Sequence, residues 1–312
     1  MAVLLIKRYK LGGVAEEIGQ LRTAFPDQHP LAGVRVKLER AREHLVTLNG
    51  AVSAFLERNP YELIEEHRRG GRELIIKVRV HETPPLAWSG VIGDCVQNMR
   101  AALEYLAWEL AGLDAPGDPP SYTGFPIYLE SRRYHATRRD GTPEPWSGLK
   151  KVERIGGEAQ LEIEASQPFN DRATVLPGTS PWVVPHEATQ QGWRVIWQRH
   201  PLWKLEELAK PDRHRALRLI GVPKMSYGTA NPSGSPQPKQ VRYFRRDPVV
   251  DGAILTRYVF REPGAKMRTT GLTIRLQLQD QGEPRSWSVI SALGDMLDHV
   301  DAKVVPRFER FF

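Results

Sequence analysis

The segment Val91-Ile-Gly-Asp-Cys-Val-Gln-Asn-Met-Arg-Ala-Ala-Leu-Glu-Tyr-Leu-Ala-Trp-Glu-Leu110 has the most regular helical pattern in the chain. Its apolar residues recur at three- and four-residue steps, so they share one side of an α-helix. They are Cys95, Met99, Leu103, Leu106 and Leu110. A stripe of this width favours aggregation when it is exposed, so we expect it to face a core.

The opposite side of this helix carries polar and aromatic groups. Asp94, Asn98, Tyr105 and Trp108 lie there, and Arg100 lies on the flank between the two sides. Such a face is either a partly solvated surface that pairs with neighbouring helices or a surface that binds a ligand. The pattern does not establish a reaction, so it leaves open whether the chain is an enzyme.

Apolar spacing predicts three other long helices that pack with this one. Asn59-Pro60 stops the first of them, and Pro211 predicts a kink or a break in the third. The four predicted helices cover residues 31–58, 88–112, 201–219 and 287–311.

Other segments alternate between apolar and polar residues, as strands do. Residues 61–82 read as a hairpin around Gly70-Gly71, and Gly124 to Tyr128 form a short strand candidate. Three further alternating segments predict a small C-terminal antiparallel sheet. They are residues 240–246, 253–260 and 272–278.

Together these elements predict one α+β domain over residues 1–312. Its core is a bundle of about four main helices, with an inserted β-hairpin and a small C-terminal antiparallel sheet. Residues 1–30 form an N-terminal arm in this prediction. Residues 223–240, rich in Pro, Ser, Gly and Gln, form a mobile loop.

Composition limits the function classes that need to be considered. The 312 residues are 40% hydrophobic and 26% charged, and the formal net charge of +7 modestly favours an anionic partner. The lone cysteine, Cys95, excludes an internal disulfide and a multi-cysteine zinc site. No segment approaches the roughly 20 apolar residues of a membrane span. The apolar run at Met1–Ile6 is too short for a signal peptide, so we expect a cytoplasmic protein without a membrane partner.

Motifs for well-known chemistries are missing from the sequence. It has no Walker loop, no Gly-x-Gly-x-x-Gly after a strand and no Gly-x-Ser-x-Gly elbow. The nine histidines show no His-x-x-x-His spacing, and His186-Glu187 is a single pair in an irregular region. We therefore expect no metal and no cofactor.

Several short motifs resemble those of a widespread group of bacterial proteins. That group carries Asn-Leu-Arg-x-Ala-Leu-Asp-His on one helix and His-Pro-Leu-Trp followed by Asp-Lys-His-Arg on another. The matching residues here are Gly93-Asp94, Asn98-Met99-Arg100, Ala102 to Leu106, His200-Pro-Leu-Trp203, Leu205 and Asp212-Arg-His-Arg215, with fainter echoes at Phe125-Pro126-Ile127 and Gln167-Pro168-Phe169. The resemblance covers scattered patches from about residue 31 to residue 220, and the group implies no established activity.

The arginine and histidine of the first motif are also similar to the signature of HEPN (higher eukaryotes and prokaryotes nucleotide-binding) proteins. These are helical bundles, and many are dimeric, metal-independent ribonucleases, some in defence or toxin–antitoxin biology. The resemblance implies that Arg100 holds the phosphate and that a homodimer forms. Tyr105 stands where the signature has histidine, and a phenol with a pKa near 10 is a poor base at neutral pH.

His214 is the candidate that could supply the missing imidazole. Asp212 could cap its segment, and Arg213 or Arg215 could contact a phosphate. In this hypothesis Arg100, His214 and Tyr105 are catalytic, and Asp94 and Asn98 bind the ligand together with the other polar residues after Pro211. The alternative is a structural one, in which these residues cement a helix bundle or a homodimer. A functional Arg100 should open to a concave basic surface, whereas a structural one should be covered and paired with a carboxylate.

Two other segments interleave arginines with aromatic rings. Single-stranded nucleic acid is held in this way, with its phosphates bound by charge and its bases by stacking. The residues are Arg132, Arg133, Arg138 and Arg139 in one segment and Arg242, Tyr243, Arg245 and Arg246 in the other. The alternative is a solvated loop and an edge strand whose arginines discourage pairing. We expect RNA or single-stranded nucleic acid as the partner, bound in a salt-sensitive way.

Overall fold

The computed structural model has an α+β fold, as the sequence predicts. It describes residues 28–113, 117–171, 198–212, 218–224, 229–230, 237–244, 249–263, 268–269, 273–280 and 283–312. The helices are α1 (Ala32–Glu57), α2 (Trp88–Leu113), α3 (Ser131–Tyr134), α4 (Gly148–Val152), α5 (Gly157–Ala165), α6 (Pro201–Asp212) and α7 (Val289–His299). None of these helices combines the length and the apolar content that a bilayer span requires.

The strands are β1 (Tyr61–Arg68), β2 (Glu73–Val80), β3 (Arg218–Lys224), β4 (Thr229–Ala230), β5 (Pro238–Tyr243), β6 (Ile254–Phe260), β7 (Arg268–Thr269), β8 (Thr273–Asp280) and β9 (Glu283–Ser288). β1 and β2 form the predicted hairpin, with Gly70 and Gly71 at positive φ in its turn. The hairpin belongs to an antiparallel sheet of order β1-β2-β6-β5. A second sheet has the order β3-β8-β9, and β4 pairs with β7.

Two predicted helices end earlier than expected. α6 stops at Asp212, and residues 218–224 form β3 in register with β8, so the prediction of helix as far as residue 219 was wrong. α7 begins after β9 and continues beyond His299 as a π-helical turn, Val300–Val304, followed by two 3-10 turns. Pro306 lies in the first 3-10 turn, where its missing N–H prevents a regular α-helix.

Two predicted flexible segments are only partly described. Residues 1–27 of the predicted arm lie outside the described residues. The predicted mobile loop at residues 223–240 contains the end of β3, all of β4 and the start of β5, and the rest of it lies outside the described residues.

Contacts between residues divide the chain into two compact units. Unit one contains residues 47–90 and the described part of 217–291, and its sheet is packed around Leu74, Ile76, Tyr258 and Phe260. Unit two contains residues 28–46, the described part of 91–216, and 292–312. Its core includes the predicted apolar stripe of α2, since Cys95, Met99, Leu103 and Leu106 are 0% exposed.

Two helices of the chain begin at the same tripeptide, His-Pro-Leu: α1 directly after it and α6 at its proline. Nδ1 of His29 accepts the amide N–H of Leu31 at 3.1 Å, and Nδ1 of His200 accepts that of Leu202 at 3.2 Å. Each imidazole therefore satisfies one of the amides that the first turn of a helix leaves without a partner. Both leucines are fully buried, so the tripeptide fixes the start of the helix through the hydrogen bond to its histidine and through the packing of its leucine in the core.

Candidate functional sites

Arg100 lies in a covered pocket of unit two and is 5% exposed. Its Nη2 donates to the carbonyl oxygen of Phe125 at 2.9 Å and lies 2.6 Å from Oε1 of Glu104. Its Nε lies 3.3 Å from Oε2 of Glu206 on α6. Arg100 is therefore covered and paired with two carboxylates, which is the arrangement we expect of the structural alternative.

The same pocket explains why Gly124 to Tyr128 form no strand, contrary to the prediction. Glu104 accepts the N–H of Phe125 at 3.2 Å while Arg100 holds its carbonyl, so both backbone groups of Phe125 bond to side chains of α2. A Cβ at position 124 would collide with the carboxylate of Glu104, so a larger residue there would force Glu104 to move away from its contacts with Arg100 and Phe125.

Gln167 completes this arrangement from the end of α5. Its side chain is 0% exposed, donates to the carbonyl oxygens of Pro126 and Ile163, and accepts the N–H of Tyr128. The segment 124–128 thus meets its hydrogen-bonding needs through buried side chains instead of a neighbouring strand. Both faint echoes of the bacterial group, around Phe125 and Gln167, belong to this contact.

Unlike Arg100, the other candidate residues of α2 have side chains that are at least partly exposed to solvent. Asp94 is exposed, and the amide of Asn98 donates to the carbonyl of Asp94 within the helix at 2.8 Å. Tyr105 is 45% exposed and has the ammonium group of Lys37 over its ring, 5.7 Å from the centroid. Within the described residues, no hydrogen bond or ion pair joins Tyr105 to Arg100.

The cluster after Pro211 cannot be placed beside Arg100. Asp212 is the last residue of α6, and its side chain lies outside the described residues. Arg213, His214 and Arg215 also lie outside them, as do Arg245 and Arg246. The composite site of Arg100 and His214 therefore stays a prediction.

A different basic group is well exposed in unit two. We call residues 131–146 the arginine turn. Arg132 and Arg138 have side chains 79% and 52% exposed, and they approach Glu130 and Glu144 respectively. Arg133 and Arg139 are exposed as well. The guanidinium of Arg133 lies over the ring of Trp146 at 5.8 Å, and this indole is 50% exposed.

Local contacts hold the arginine turn in a defined shape. The amide of Arg138 donates to the carbonyl of Thr142 at 2.8 Å, and that of Glu144 donates to the carbonyl of Ala136 at 2.9 Å. The carboxylate of Asp140 accepts both the N–H and the hydroxyl of Thr142 between them. The turn therefore projects Arg138 and Arg139 from a closed hairpin.

Tyr134 anchors the same turn to the body of unit two. It is 1% exposed and makes edge contacts with the rings of Tyr128 and Phe169. A Cβ at Gly148 would collide with the ring of Tyr134, so glycine is needed at the start of α4. The anchor means that the arginines belong to an ordered surface.

The second basic and aromatic segment lies on an edge strand of unit one. Among the described strands, β5 pairs with β6 alone, and its residues 239–243 are exposed. Tyr243 is 63% exposed, and the guanidinium of Arg242 lies 5.1 Å from the ring centroid of Phe244. Both sequence interpretations of this segment, a nucleic-acid contact and a protected sheet edge, are compatible with its position.

One polar cluster was missed in the sequence. Asp171, His200 and His299 place one ligand atom each within 4.8 Å of the others. Oδ2 of Asp171 lies 3.2 Å from Nε2 of His200 and 4.0 Å from Nε2 of His299. The two imidazole rings meet edge to face with centroids 4.7 Å apart.

Burial decides the protonation state of this cluster. His200 is 0% exposed and His299 is 3% exposed. Burial lowers the pKa of His200 and, with the nearby His200, lowers the pKa of His299 to about 3. Because Nδ1 of His200 accepts the amide of Leu202, the proton of this neutral ring is on Nε2 and points to Asp171.

Only one signal in the sequence pointed to this cluster. His200 belongs to the His-Pro-Leu-Trp motif, but its partner Asp171 is 29 residues away and His299 lies much further along the chain. Such ligand sets have no local spacing and become visible only in the fold.

No known protein family, curated protein or solved structure matches the chain.

Proposed function

We propose that the chain binds single-stranded nucleic acid, RNA in the first place, through the arginine turn. The observation that carries the proposal is the exposed indole of Trp146 beside four exposed arginines. Guanidinium groups bind phosphates, and an exposed ring offers a surface on which an unpaired base can stack.

The charge of the turn supports the same conclusion. Residues 131–146 contain four arginines and two acidic residues, Asp140 and Glu144, so the turn has a formal charge of +2. Glu130 and Glu144 neutralise Arg132 and Arg138 in part, whereas Arg133 faces an aromatic ring. Arg133 and Arg139 are therefore the residues from which we expect the main phosphate contacts.

The HEPN-like ribonuclease hypothesis has less support. Its phosphate-binding arginine would be Arg100, which is engaged by Glu104, Glu206 and Phe125. A substrate would have to break these contacts and reach a buried group. The competing proposal, that Arg100 and its motif cement a helical scaffold, is favoured by this geometry. It is compatible with nucleic-acid binding elsewhere on the chain, and the homodimer stays a prediction.

The test is fluorescence anisotropy with a labelled single-stranded RNA of mixed sequence over a series of salt concentrations. The double variant Arg133→Ala/Arg139→Ala should bind more weakly than wild type. The negative slope of the logarithm of its association constant against log salt should become shallower by about 1.4, because each lost phosphate contact on a single strand removes about 0.7 from its magnitude.

Arg40→Ala/Arg79→Ala is the matched control. Its two arginines have side chains 56% and 55% exposed, and it loses the same total charge at positions outside residues 131–146. Trp146→Ala should weaken binding roughly 5- to 150-fold without changing the salt slope, since one stacked base is worth about 1–3 kcal/mol. Equal binding by the double variant and its control would rule out the arginine turn as the contact surface.

A further inference from the structure

The buried cluster in unit two has the composition of a metal site. We propose that Asp171, His200 and His299 bind one divalent transition-metal ion, zinc in the first place. Two imidazoles and one carboxylate are a donor set that zinc uses in proteins. The proposal does not depend on nucleic-acid binding, since it concerns different residues.

The distances fit an ion with small adjustments. Tetrahedral zinc with bonds of about 2.0–2.2 Å holds its ligand atoms about 3.4 Å apart. Nε2 of His200 and Oδ2 of Asp171 are already 3.2 Å apart, and all three ligand atoms lie within 4.8 Å. The widest gap would close by at most about 1.4 Å, a distance that side-chain rotation covers.

His299 provides a second, independent observation. Its Nδ1 is buried without a hydrogen-bond partner, and its Nε2 lies 4.0 Å from Asp171, beyond hydrogen-bond length. A buried imidazole nitrogen without a hydrogen bond is unusual. A metal ion at Nε2 would not bond to Nδ1, but it would give the same buried ring one polar partner on its other nitrogen. The π-helical turn that begins at Val300 follows this residue, and such turns often occur at functional sites.

His200 has to give up one interaction for the ion. A metal at its Nε2 displaces the proton that now points to Asp171, and this proton moves to Nδ1 or leaves. In the first case the cap on Leu202 is lost. One capping hydrogen bond is worth far less than the coordination of a structural zinc ion.

The charge balance is also workable. Asp171 supplies one negative charge, and the two neutral imidazoles leave the site able to accept a cation. The charges of Lys303 and Arg307 act on His299 and oppose cation binding, but Arg307 lies 3.6 Å from Glu162, which offsets its charge. The ion would tie the segment after α5 to the start of α6 and the end of α7. A water molecule would complete the coordination.

The experiment titrates chelator-treated, full-length protein with zinc chloride and cobalt chloride, followed by calorimetry and by the visible absorption of cobalt. We expect one equivalent of zinc per chain, a cobalt spectrum of tetrahedral type, and a melting temperature that rises by about 4 °C at zinc concentrations near one hundred times Kd. A wild-type protein without stoichiometric binding overturns the proposal, whatever the variants do.

Variants distinguish the cluster from adventitious surface binding. His200→Asn keeps an acceptor for the helix cap but removes the imidazole, and His299→Gln removes the second ligand. Both should lose the bound equivalent. His29→Asn changes the other His-Pro-Leu cap in the same way and should still bind one equivalent. Full binding by His299→Gln, or loss of binding in His29→Asn alone, would also overturn the proposal.

Discussion

Replacing Arg100 with methionine should lower the free energy of unfolding, because Arg100 has a structural role. The change keeps a long apolar stem in the pocket but removes the guanidinium. It leaves the carbonyl of Phe125 without its donor and leaves Glu206, whose side chain is only 18% exposed, without its nearest cation.

The size of the effect follows from these contacts. Breaking a buried ion pair by removing one partner costs about 3–5 kcal/mol, and the charged hydrogen bond to Phe125 is one component of that loss. The lower end applies here, because Nζ of Lys210 lies 3.4 Å from Glu206 and Glu104 is 40% exposed. We therefore expect Arg100→Met to lower the free energy of unfolding by about 3 kcal/mol.

The measurement is urea unfolding with the midpoint and the slope fitted separately. Arg40→Met is the control, since Arg40 forms an exposed pair with Glu43 and should contribute about 0–1 kcal/mol. Adding Glu206→Gln to Arg100→Met should restore part of the loss, because the unpaired carboxylate is then gone. If Arg100→Met unfolds like its control while an RNA-cleaving activity disappears, the structural explanation is refuted and the catalytic hypothesis gains.

Three further predictions concern single positions. Burial raises the pKa of the Cys95 thiol to about 12, so iodoacetamide at pH 8 should label this thiol only after unfolding, and fast labelling of the native protein would contradict this. Because the folded pKa lies above the usual 9.0, the contribution of the thiol to stability should be complete below pH 9 and be lost as the pH rises from 9 towards 12. Gly124→Ala should destabilise the protein by about 1–3 kcal/mol, since the new methyl group displaces Glu104. The control Gly50→Ala, which has open space around it in α1, should be neutral or stabilising, and equal effects of the two changes would show that the close approach of Gly124 to Glu104 is unimportant. His29→Ala should cost about 1 kcal/mol in thermal or urea unfolding while His29→Asn stays within a few tenths, and an equal loss in both would exclude the capping role.

The elements that the sequence predicts well are those whose signal is local. The apolar stripe of α2 repeats every three or four residues, and each member of it is buried. The hairpin of β1 and β2 has its two glycines in the turn where positive φ is needed. In both cases the residues that decide the structure are neighbours in the chain.

The errors come from interactions between distant residues. Residues 124–128 have a strand-like composition, but Arg100, Glu104 and Gln167 take the hydrogen bonds that a strand would offer to a neighbour. The segment after α6 has leucines that suit a helix, yet residues 218–224 pair with β8, far along the chain. Periodicity cannot choose between such partners, because it contains no information about what lies opposite.

The same distinction applies to the candidate sites. Four arginines within nine residues predict a basic surface without any knowledge of the fold, and the structure adds Trp146 to it. The imidazoles of His200 and His299 come together only because α6 begins where α7 ends. A prediction of metal binding from histidine spacing alone was therefore bound to overlook this cluster.

Three polar residues of the motifs that resemble the bacterial group are buried in the structure. Arg100, Gln167 and His200 are covered, and each one fixes backbone groups of another segment or of a helix start. Residues with this role stabilise the fold of this chain, and they do not by themselves indicate a ligand. The arginine turn lies outside these motifs, and its exposed side chains are free to differ between chains of one fold. A chain that kept the motifs but lacked Arg133, Arg139 and Trp146 should therefore fold as this one does and fail to bind single-stranded RNA.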